Sequence, residues 1–459
     1  MKRIAVFGGS FNPPGIHHRA TAEVLARHFD QVIVVPCGPR PDKPVTNDVP
    51  SAHRAAMGDL AFRGIDRVRV DLFDLELGVF SRTHELDERY RGEGEAWHVV
   101  SSSLLASRPD EPNVILREWA RGEEVWADCR FVVIQLPGEI LDPDKLPPRH
   151  MMLSVDIGGD SRIIRERVYQ HKPVTDMVTP SIGDYIERHE LYRGRIPPRV
   201  IRLALDDIRP MVLVDEGNPK AVQRAADLGL RDSDDPNMIV VVGGDGAMLR
   251  AIRREWRRRL PFFGVNAGHR GFLLNQSSPG EFQGSEVILQ NLPLLWVEME
   301  REDGTASGSH AFNDAWVERA TGQTAWIEVK VNGQVRLQKL VADGVLVATS
   351  AGSTSYARAM GAASLPLGTP ALLLVGSNVL RPHSWQPAVL PVDSTVEFST
   401  LDPAKRPLNA FIDGVDQGSI RRMRIRVSRV SSVELAFEPS LDPAEKLAQI
   451  QFPPEGAEI

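Results

Sequence analysis

Residues 237–250, NMIVVVGGDGAMLR, constrain this chain more than any other stretch. Five apolar residues, Met238 to Val242, run without a polar break, which predicts a strand buried on both faces of a parallel sheet. Gly243, Gly244 and Gly246 then force a tight turn, and Ala247, Met248, Leu249 and Ile252 predict a helix after it. Such a strand, turn and helix N-terminus aim backbone N–H groups and a partial positive charge at one point, which suits phosphate oxygens. Asp245 stands inside that cradle. A carboxylate repels phosphate, so its presence costs energy unless it draws a proton off a nearby hydroxyl or holds a magnesium ion. The bland alternative is a turn aspartate that caps the helix. The run is neither a full Rossmann fingerprint nor a P-loop: Leu249 falls where a third glycine would, and no GK[ST] follows.

At 459 residues the chain has room for about three domains, and its 42% hydrophobic content can fill their cores. A formal charge of −7 speaks against general nucleic-acid binding, and Arg253, Arg254 and Arg257 to Arg259 read as the solvated end of a helix. Cys37 and Cys129 lie far apart, so neither a disulfide framework nor a zinc cluster is indicated, and a reducing cytoplasm is expected. The opening MKRIAVFGG has too short an apolar run for a signal peptide, and runs such as Ala371–Val375 are too short to span a bilayer. No membrane partner is expected.

The first residues repeat the logic of the central stretch. Ile4–Phe7 predict a buried strand that ends in Gly8, Gly9, Ser10, Phe11, Asn12, Pro13 and Pro14. His17 and His18 come next, then a helix over Ala20–Phe29 and a strand over Val32–Pro36. Ligands of such a βαβ opening sit beyond the C-terminal ends of the strands. The paired histidines lack further ligands at regular spacing, so no metal site is expected. A double proline in Arg193–Arg199, RGRIPPR, marks a linker. A second α/β segment follows, with a strand at Met211–Asp215, a helix at Pro219–Leu228, the central stretch, a strand at Phe262–Val265 and a second glycine loop, Asn266–Phe272. Two glycine turns at the ends of neighbouring strands face one cleft. Beyond about residue 280 the apolar period becomes two, in Leu294–Glu300, Trp326–Val331 and Val335–Leu337, with Asn332-Gly333 a hairpin signal between the last two.

GGSFNPPGIHH resembles the phosphate loop of the nicotinamide or nicotinate mononucleotide adenylyltransferases, whose pattern is GG[TS]F[DN]P followed by HxGH. The resemblance continues through Pro36, Lys43, Arg54 and Met57, and Trp119 before a strand at Phe131–Ile134, and ends with TPSIGDYIERHELYR, covering almost all of residues 1–193. It implies adenylyl transfer, with Gly8, Gly9, Ser10, Phe11, His18, Lys43, Arg54, Ser161 and Arg165 holding ATP and the mononucleotide. Three motifs depart from the family. HxGH is here Gly15, Ile16, His17, His18; ISSTxIR becomes Gly159, Asp160, Ser161, Arg162, Ile163, Ile164, Arg165; and a GxD becomes Ser101, Ser102, Ser103. Losing one donor that steadies the transition state costs about a hundredfold to a thousandfold in rate. Arg162 and His17 are the candidates to replace that charge. A catalytically silent nucleotide-binding module that regulates or assembles the rest of the chain is the alternative.

GGDGxxLR followed by GVNAGxxGFL resembles the NAD kinases, and the rest of the chain keeps that family's order. Asn313 and Asp314 stand in FNDAWVER, Asp343-Gly344 precede the strand Val345–Thr349, and Gly352 to Tyr356 are similar to the TPxGSTAY loop, with Ser350 and Ser355 for its proline and alanine. GAAS at Gly361–Ser364, RPHS at Arg381–Ser384 and Asp413-Gly414 in FIDGVDQG follow. Singly, these are a turn pair, a helix cap and hairpin turns; their order behind two glycine loops is what favours the kinase. The resemblance implies a Rossmann-like nucleotidyltransferase domain at 1–194, then a two-part NAD kinase fold, α/β at 195–279 and β-rich at 280–459. It implies Asp245 as the base for the 2′-hydroxyl of NAD, yielding NADP. Gly246, Arg250, Asn313, Asp314, Asp343, Thr354, Ser355, Tyr356 and Asp413 would contact NAD, and Gly243, Gly244, Asn266, Gly268 and Gly271 the phosphates. Magnesium would ride on ATP without a protein cage, and a homo-oligomer is expected. The first half would feed the second directly if it takes nicotinamide mononucleotide, and only after an amidation if it takes the nicotinate form. A nicotinamide-linked dehydrogenase is disfavoured, since neither loop shows GxGxxG with an acid about twenty residues on.

Overall fold

The computed structural model describes residues 1–40, 48–105, 113–136, 141–194, 201–205, 207–268, 271–276, 286–439 and 447–448. The chain divides into two compact units, Met1–Arg199 and Val200–Ile459. No helix among the described residues is long and apolar enough to cross a membrane.

In the first unit six strands, β1 (Arg3–Gly9), β2 (Gln31–Pro36), β3 (Val68–Val70), β4 (Glu95–Ser101), β5 (Arg130–Gln135) and β6 (His150–Ser154), form a parallel sheet in the order 3-2-1-4-5-6. That doubly wound order places a crevice beyond β1 and β4, where the winding reverses. Ala5 feeds the core on one face of the sheet, and Ile4 and Val6 the core on the other. The first helix, Ile16–His28, begins four residues before the apolar spacing suggests. Gly15 is its extended N-cap, and the Gly15 N–H donates to His18 Nδ1 at 3.0 Å, so both histidines lie in the first helical turn.

In the second unit β8 (Pro210–Val214), β9 (Met238–Gly243) and β10 (Phe262–Asn266) are parallel, with β9 in the middle and wholly buried. Its side chains alternate between two cores, Ile239 and Val241 on one face and Met238, Val240 and Val242 on the other. Gly243 pairs with Asn266, so the two glycine loops leave the sheet side by side. The preceding strand β7 (Ile201–Ala204) pairs with β11 (Glu286–Glu300), which starts eight residues before its period-two signal. Gln290, Asn291 and Pro293 interrupt the alternation, and a bulge lies between Pro293 and Leu295. β11 runs antiparallel to the strand Arg422–Phe437, whose end pairs with β10 and whose start pairs with Val396–Thr400. One ten-stranded sheet therefore joins the glycine-loop layer to the β-rich part.

A second, six-stranded sheet packs on the β-rich part, with Leu295, Val329 and Phe398 meeting Val317, Val345, Val347 and Leu374 in one core. Asn332 and Gly333, at φ of 53° and 75°, make the hairpin turn expected of that pair. Asp343-Gly344 is not a hairpin. The chain there passes from Gln334–Ala342 in one sheet to Gly344–Ala348 in the other, and a Cβ on Gly344 would lie 2.5 Å from the Val317 carbonyl oxygen. Phe398 is fully buried between the sheets. Phe398→Ala is expected to destabilise the second unit by about 3–5 kcal/mol, read as a lower urea midpoint for that unit.

Candidate functional site

Asp245 is the first residue of the helix Asp245–Glu255, and Gly244 is its extended N-cap. The backbone N–H groups of Phe272 and Leu273 donate to its two carboxylate oxygens, each at 2.9 Å. The acid thus sits half-buried at the helix N-terminus and pins the second glycine loop to the first. Ala267 N–H adds a bond to the Gly243 carbonyl at 2.9 Å, and Gly268 N–H donates to Asn266 Oδ1 at 2.9 Å. Of the Asn266–Gly271 amides expected to hold phosphate, those of Ala267 and Gly268 are thus bonded within the protein. The first loop leaves open space beside its backbone: a Cβ on Gly244 would meet nothing within 4 Å, and one on Gly246 only the Arg250 Nη1 at 3.6 Å. Gly243 is needed for close approach, since a Cβ there would lie 2.7 Å from Ala247 Cβ. Gly271 likewise abuts Leu274. His269 and Arg270 lie outside the described residues.

The Asn313 turn is built from two sides. Asp413, at φ 47° in the hairpin Asp413-Gly414, is 6% exposed, and its carboxylate accepts the N–H groups of Phe312 and Asn313 at 2.8 Å and of Asp314 at 3.2 Å. Its side chain therefore shapes the turn that carries Asn313 and Asp314. From the other side Thr349 Oγ1 donates to the Phe312 carbonyl at 2.7 Å, and a Cβ on Gly352 would lie 2.2 Å from the Asn313 carbonyl oxygen. Asn313 Oδ1 is buried and has no hydrogen-bond partner among the described residues. The Asp314 carboxyl is pushed up to about 7 by burial and then by the Asp413 charge. Asp413 is itself raised, by burial, against the pull of its three amides. Arg253 Nη1 donates to the Asp413 carbonyl at 3.3 Å, which ties the Asp245 helix to this turn.

Around these lie the other expected residues. Asp343 pairs with Arg319 at 2.6 Å and accepts from Asn378 Nδ2 at 2.8 Å. Tyr356 is exposed and tilts against Trp316 at 5.1 Å, which stacks on Phe411. Burial, then Glu318, Asp314 and Asp343, raise its phenol. Ser355 is exposed and Thr354 half-buried in the same loop. Arg250, expected on the pyrophosphate, pairs with Asp215 at 3.0 Å. Sequence reasoning passed over Asp215 and Thr349 as site residues, although each is a polar residue that follows an apolar strand. It also passed over Asn275, fully buried, whose amide bonds the Ala436 carbonyl and the Glu438 N–H at 2.9 and 3.0 Å. A cavity of about 150 Å³ abuts the turn through Phe312, Thr349, Ser350 and Ala351, and none of the acids above lines it.

In the first unit Gly8 is exposed and open at the end of β1. Ser10 is half-buried beside it, and a Cβ on Gly9 would press on the Phe11 ring at 2.9 Å. Two residues expected on the nucleotide point inward instead. The Phe11 ring is 1% exposed and packs against Phe7, Phe62 and His18, because its backbone turns at φ 43°. Arg54, also 1% exposed, donates to the Ser10 carbonyl at 2.6 Å and the Cys37 carbonyl at 2.7 Å, joining the loop to the end of β2. Ser161 Oγ donates to the Pro13 carbonyl at 2.8 Å and Arg165 to the Asn12 carbonyl at 2.6 Å, so the helix Ser161–Tyr169 is fastened to the same loop. Burial and the His17 ring hold His18 well below the ordinary imidazole range. A neutral His18 that accepts at Nδ1 keeps its proton on Nε2, free to donate. Lys43 lies outside the described residues.

Fold and site define a nucleotide-binding transferase. Residues 6–158 match the family model described as cytidylyltransferase-like, and residues 197–285 that of the ATP-NAD kinase N-terminal domain. An NAD kinase of Xanthomonas oryzae pv. oryzae is 35% identical over 260 residues, 56% of this chain and 98% of that protein. One of Rickettsia bellii is 36% identical over 230 residues, 48% of this chain and 88% of that protein. The chain belongs to the NAD kinase family.

The raised Asp314 carboxyl has a consequence for stability. The folded state keeps its proton up to about pH 7, whereas the unfolded chain loses it near the ordinary carboxylate value, so folding binds a proton between. This contribution is fully present below about pH 4 and is lost as pH rises through about 7. The difference in melting temperature between wild type and Asp314→Asn is expected to change across that window and to be flat above it.

Proposed function

We propose that the second unit transfers the γ-phosphoryl group of ATP to the 2′-hydroxyl of the adenosine ribose of NAD, giving NADP, and that Asp245 takes the hydroxyl proton. The sugar oxygen bonds phosphorus as the bond to the bridging oxygen breaks, and ADP leaves. The observation that carries this reading is the Asp245 carboxylate held by two amides at a helix N-terminus. A carboxylate offers about four lone-pair sites, so one held by amides can still take up a hydroxyl proton. Gly244 and Gly246 offer open backbone to phosphates. Asn313 Oδ1, an acceptor without a donor, suits an exocyclic amine of the adenine base, and Asp314 and Asp343 suit ribose hydroxyls. Asp413 and Thr349 position that turn. Arg250 leaves Asp215 for the pyrophosphate, and Tyr356 offers its ring to a base. The acids beside the loops are engaged, Asp245 by amides and Asp215 by Arg250, so the donor set fits a magnesium ion that arrives on ATP and neutralises its phosphates. We read residues 195–279 as the phosphate-holding part and 280–459 as the part that recognises the dinucleotide.

The first unit, on this reading, joins nicotinamide or nicotinate mononucleotide to the adenylyl group of ATP. Its open Gly8, the Nε2–H of His18 and the helix Ser161–Tyr169 fastened over the loop support it. One observation favours a silent binding module. Asp160 stands where the family pattern has a hydroxyl, and its carboxylate takes the Arg162 N–H at 2.7 Å, an amide at a helix N-terminus that phosphate would use.

Asp245→Asn is expected to lower NAD phosphorylation by about 10²–10⁴ in turnover, the usual range for a lost general base, with the dissociation constant for NAD changed far less. A turnover within a few-fold of wild type removes Asp245 from that role. For the first unit, the full chain is given ATP with each mononucleotide in turn and pyrophosphate is followed. Release with one of them establishes the transfer and its substrate, and none with either establishes the silent module.

A further inference from the structure

Four departures from the adenylyltransferase pattern meet at one side chain, His17. The pattern has histidine where this chain has Gly15, glycine where it has His17, isoleucine where it has Gly159 and serine where it has Asp160. A Cβ on Gly15 would lie 2.6 Å from Nδ1 and Cε1 of the His17 ring, and one on Gly159 would lie 2.2 Å from Nδ1. The imidazole thus fills a slot between two backbones that only glycines leave open, and it occupies the space that a side chain at position 15 would enter. Its other neighbour is His18, with ring centroids 3.9 Å apart. Both rings sit in the first turn of the 13-residue helix Ile16–His28. Asp160, which caps the helix Ser161–Tyr169, lies near enough to favour the charged form of His17, against burial, which lowers its affinity for a proton more strongly.

We propose that His17 stands in for the histidine missing at position 15, and that its imidazole, paired with that of His18, contacts a phosphate oxygen of a nucleoside triphosphate in the first unit. Three of the substitutions are then one exchange: the ring moves two residues along the chain, and Gly15 and Gly159 vacate the room it needs. Asp160 replaces a neutral hydroxyl with a carboxylate whose charge offsets part of the effect of burial on this imidazole. The proposal rests on the nucleotide-binding reading of the first unit, whether or not that unit turns over.

His17→Phe separates contact from packing, because phenylalanine fills the slot and cannot donate. It is expected to leave the melting temperature of the full chain unchanged and to lower pyrophosphate release about a hundredfold or more. Gly15→His alone is expected to lower the melting temperature by its clash with the ring, and Gly15→His with His17→Gly to regain it. Loss in the double variant equal to that of Gly15→His shows that the two positions do not exchange and overturns the proposal. So does full pyrophosphate release by His17→Phe, which leaves the adenylyl-transfer reading standing. Spectra of the full chain with ¹³Cε1-labelled histidine give a readout independent of turnover, the His17 signal being assigned by its absence in His17→Phe. A His17 signal that moves on titration with MgATP supports the contact even where wild type releases no pyrophosphate, a result that removes adenylyl transfer alone. A signal that stays fixed while that of His18 moves overturns the contact, and fixed signals from both overturn the nucleotide site itself.

Discussion

The second unit is organised by the carboxylate of Asp245 accepting the amides of Phe272 and Leu273. Those N–H groups end a strand-to-loop transition and need an acceptor. A negative side chain at the first turn of a helix is also where the aligned peptide dipoles favour it. One residue therefore satisfies two loops and the helix end at once, and the bond from Ala267 to Gly243 closes the junction from the other side. From the same helix Arg253 reaches the Asp413 carbonyl, and Asp413 gathers the amides of Phe312, Asn313 and Asp314. The two glycine loops and the Asn313 turn are thus held in register by contacts that begin at a single acid.

Two acids in this unit show how environment divides roles among chemically similar groups. Asp413 meets three amide donors and its work is internal. Asp314, one strand away and 3% exposed, is kept protonated into the neutral range by burial and by that same neighbour. A carboxyl that holds its proton donates as well as accepts, which suits a ribose hydroxyl.

Much of the fold was legible because its causes are local. The apolar run Met238–Val242, the glycines after it and the Asn332-Gly333 pair each carry their geometry in adjacent residues, and the structure places a buried strand, a helix start and a hairpin there. Less was legible where the cause lies far along the chain. Asp413 and its amides are about a hundred residues apart. Arg54 finds the Ser10 and Cys37 carbonyls only after β1 and β2 have paired. A motif names the residue type at a position without stating which way the side chain turns, so Phe11 and Arg54 read as ligand contacts and proved to face the interior. The start of β11 was hidden for another reason: Gln290, Asn291 and Pro293 break the period at a bulge.

The paired strands Glu286–Glu300 and Arg422–Phe437 carry backbone bonds from the glycine-loop layer into the sandwich. A spine of this kind leaves the two layers no hinge between them, so they do not swing as separate jaws around a substrate. Freedom to rearrange is left to segments outside these paired strands, such as the Asn313 turn between Ala306–Ala311 and Asp314–Arg319 and the short loop that carries Thr354 and Ser355.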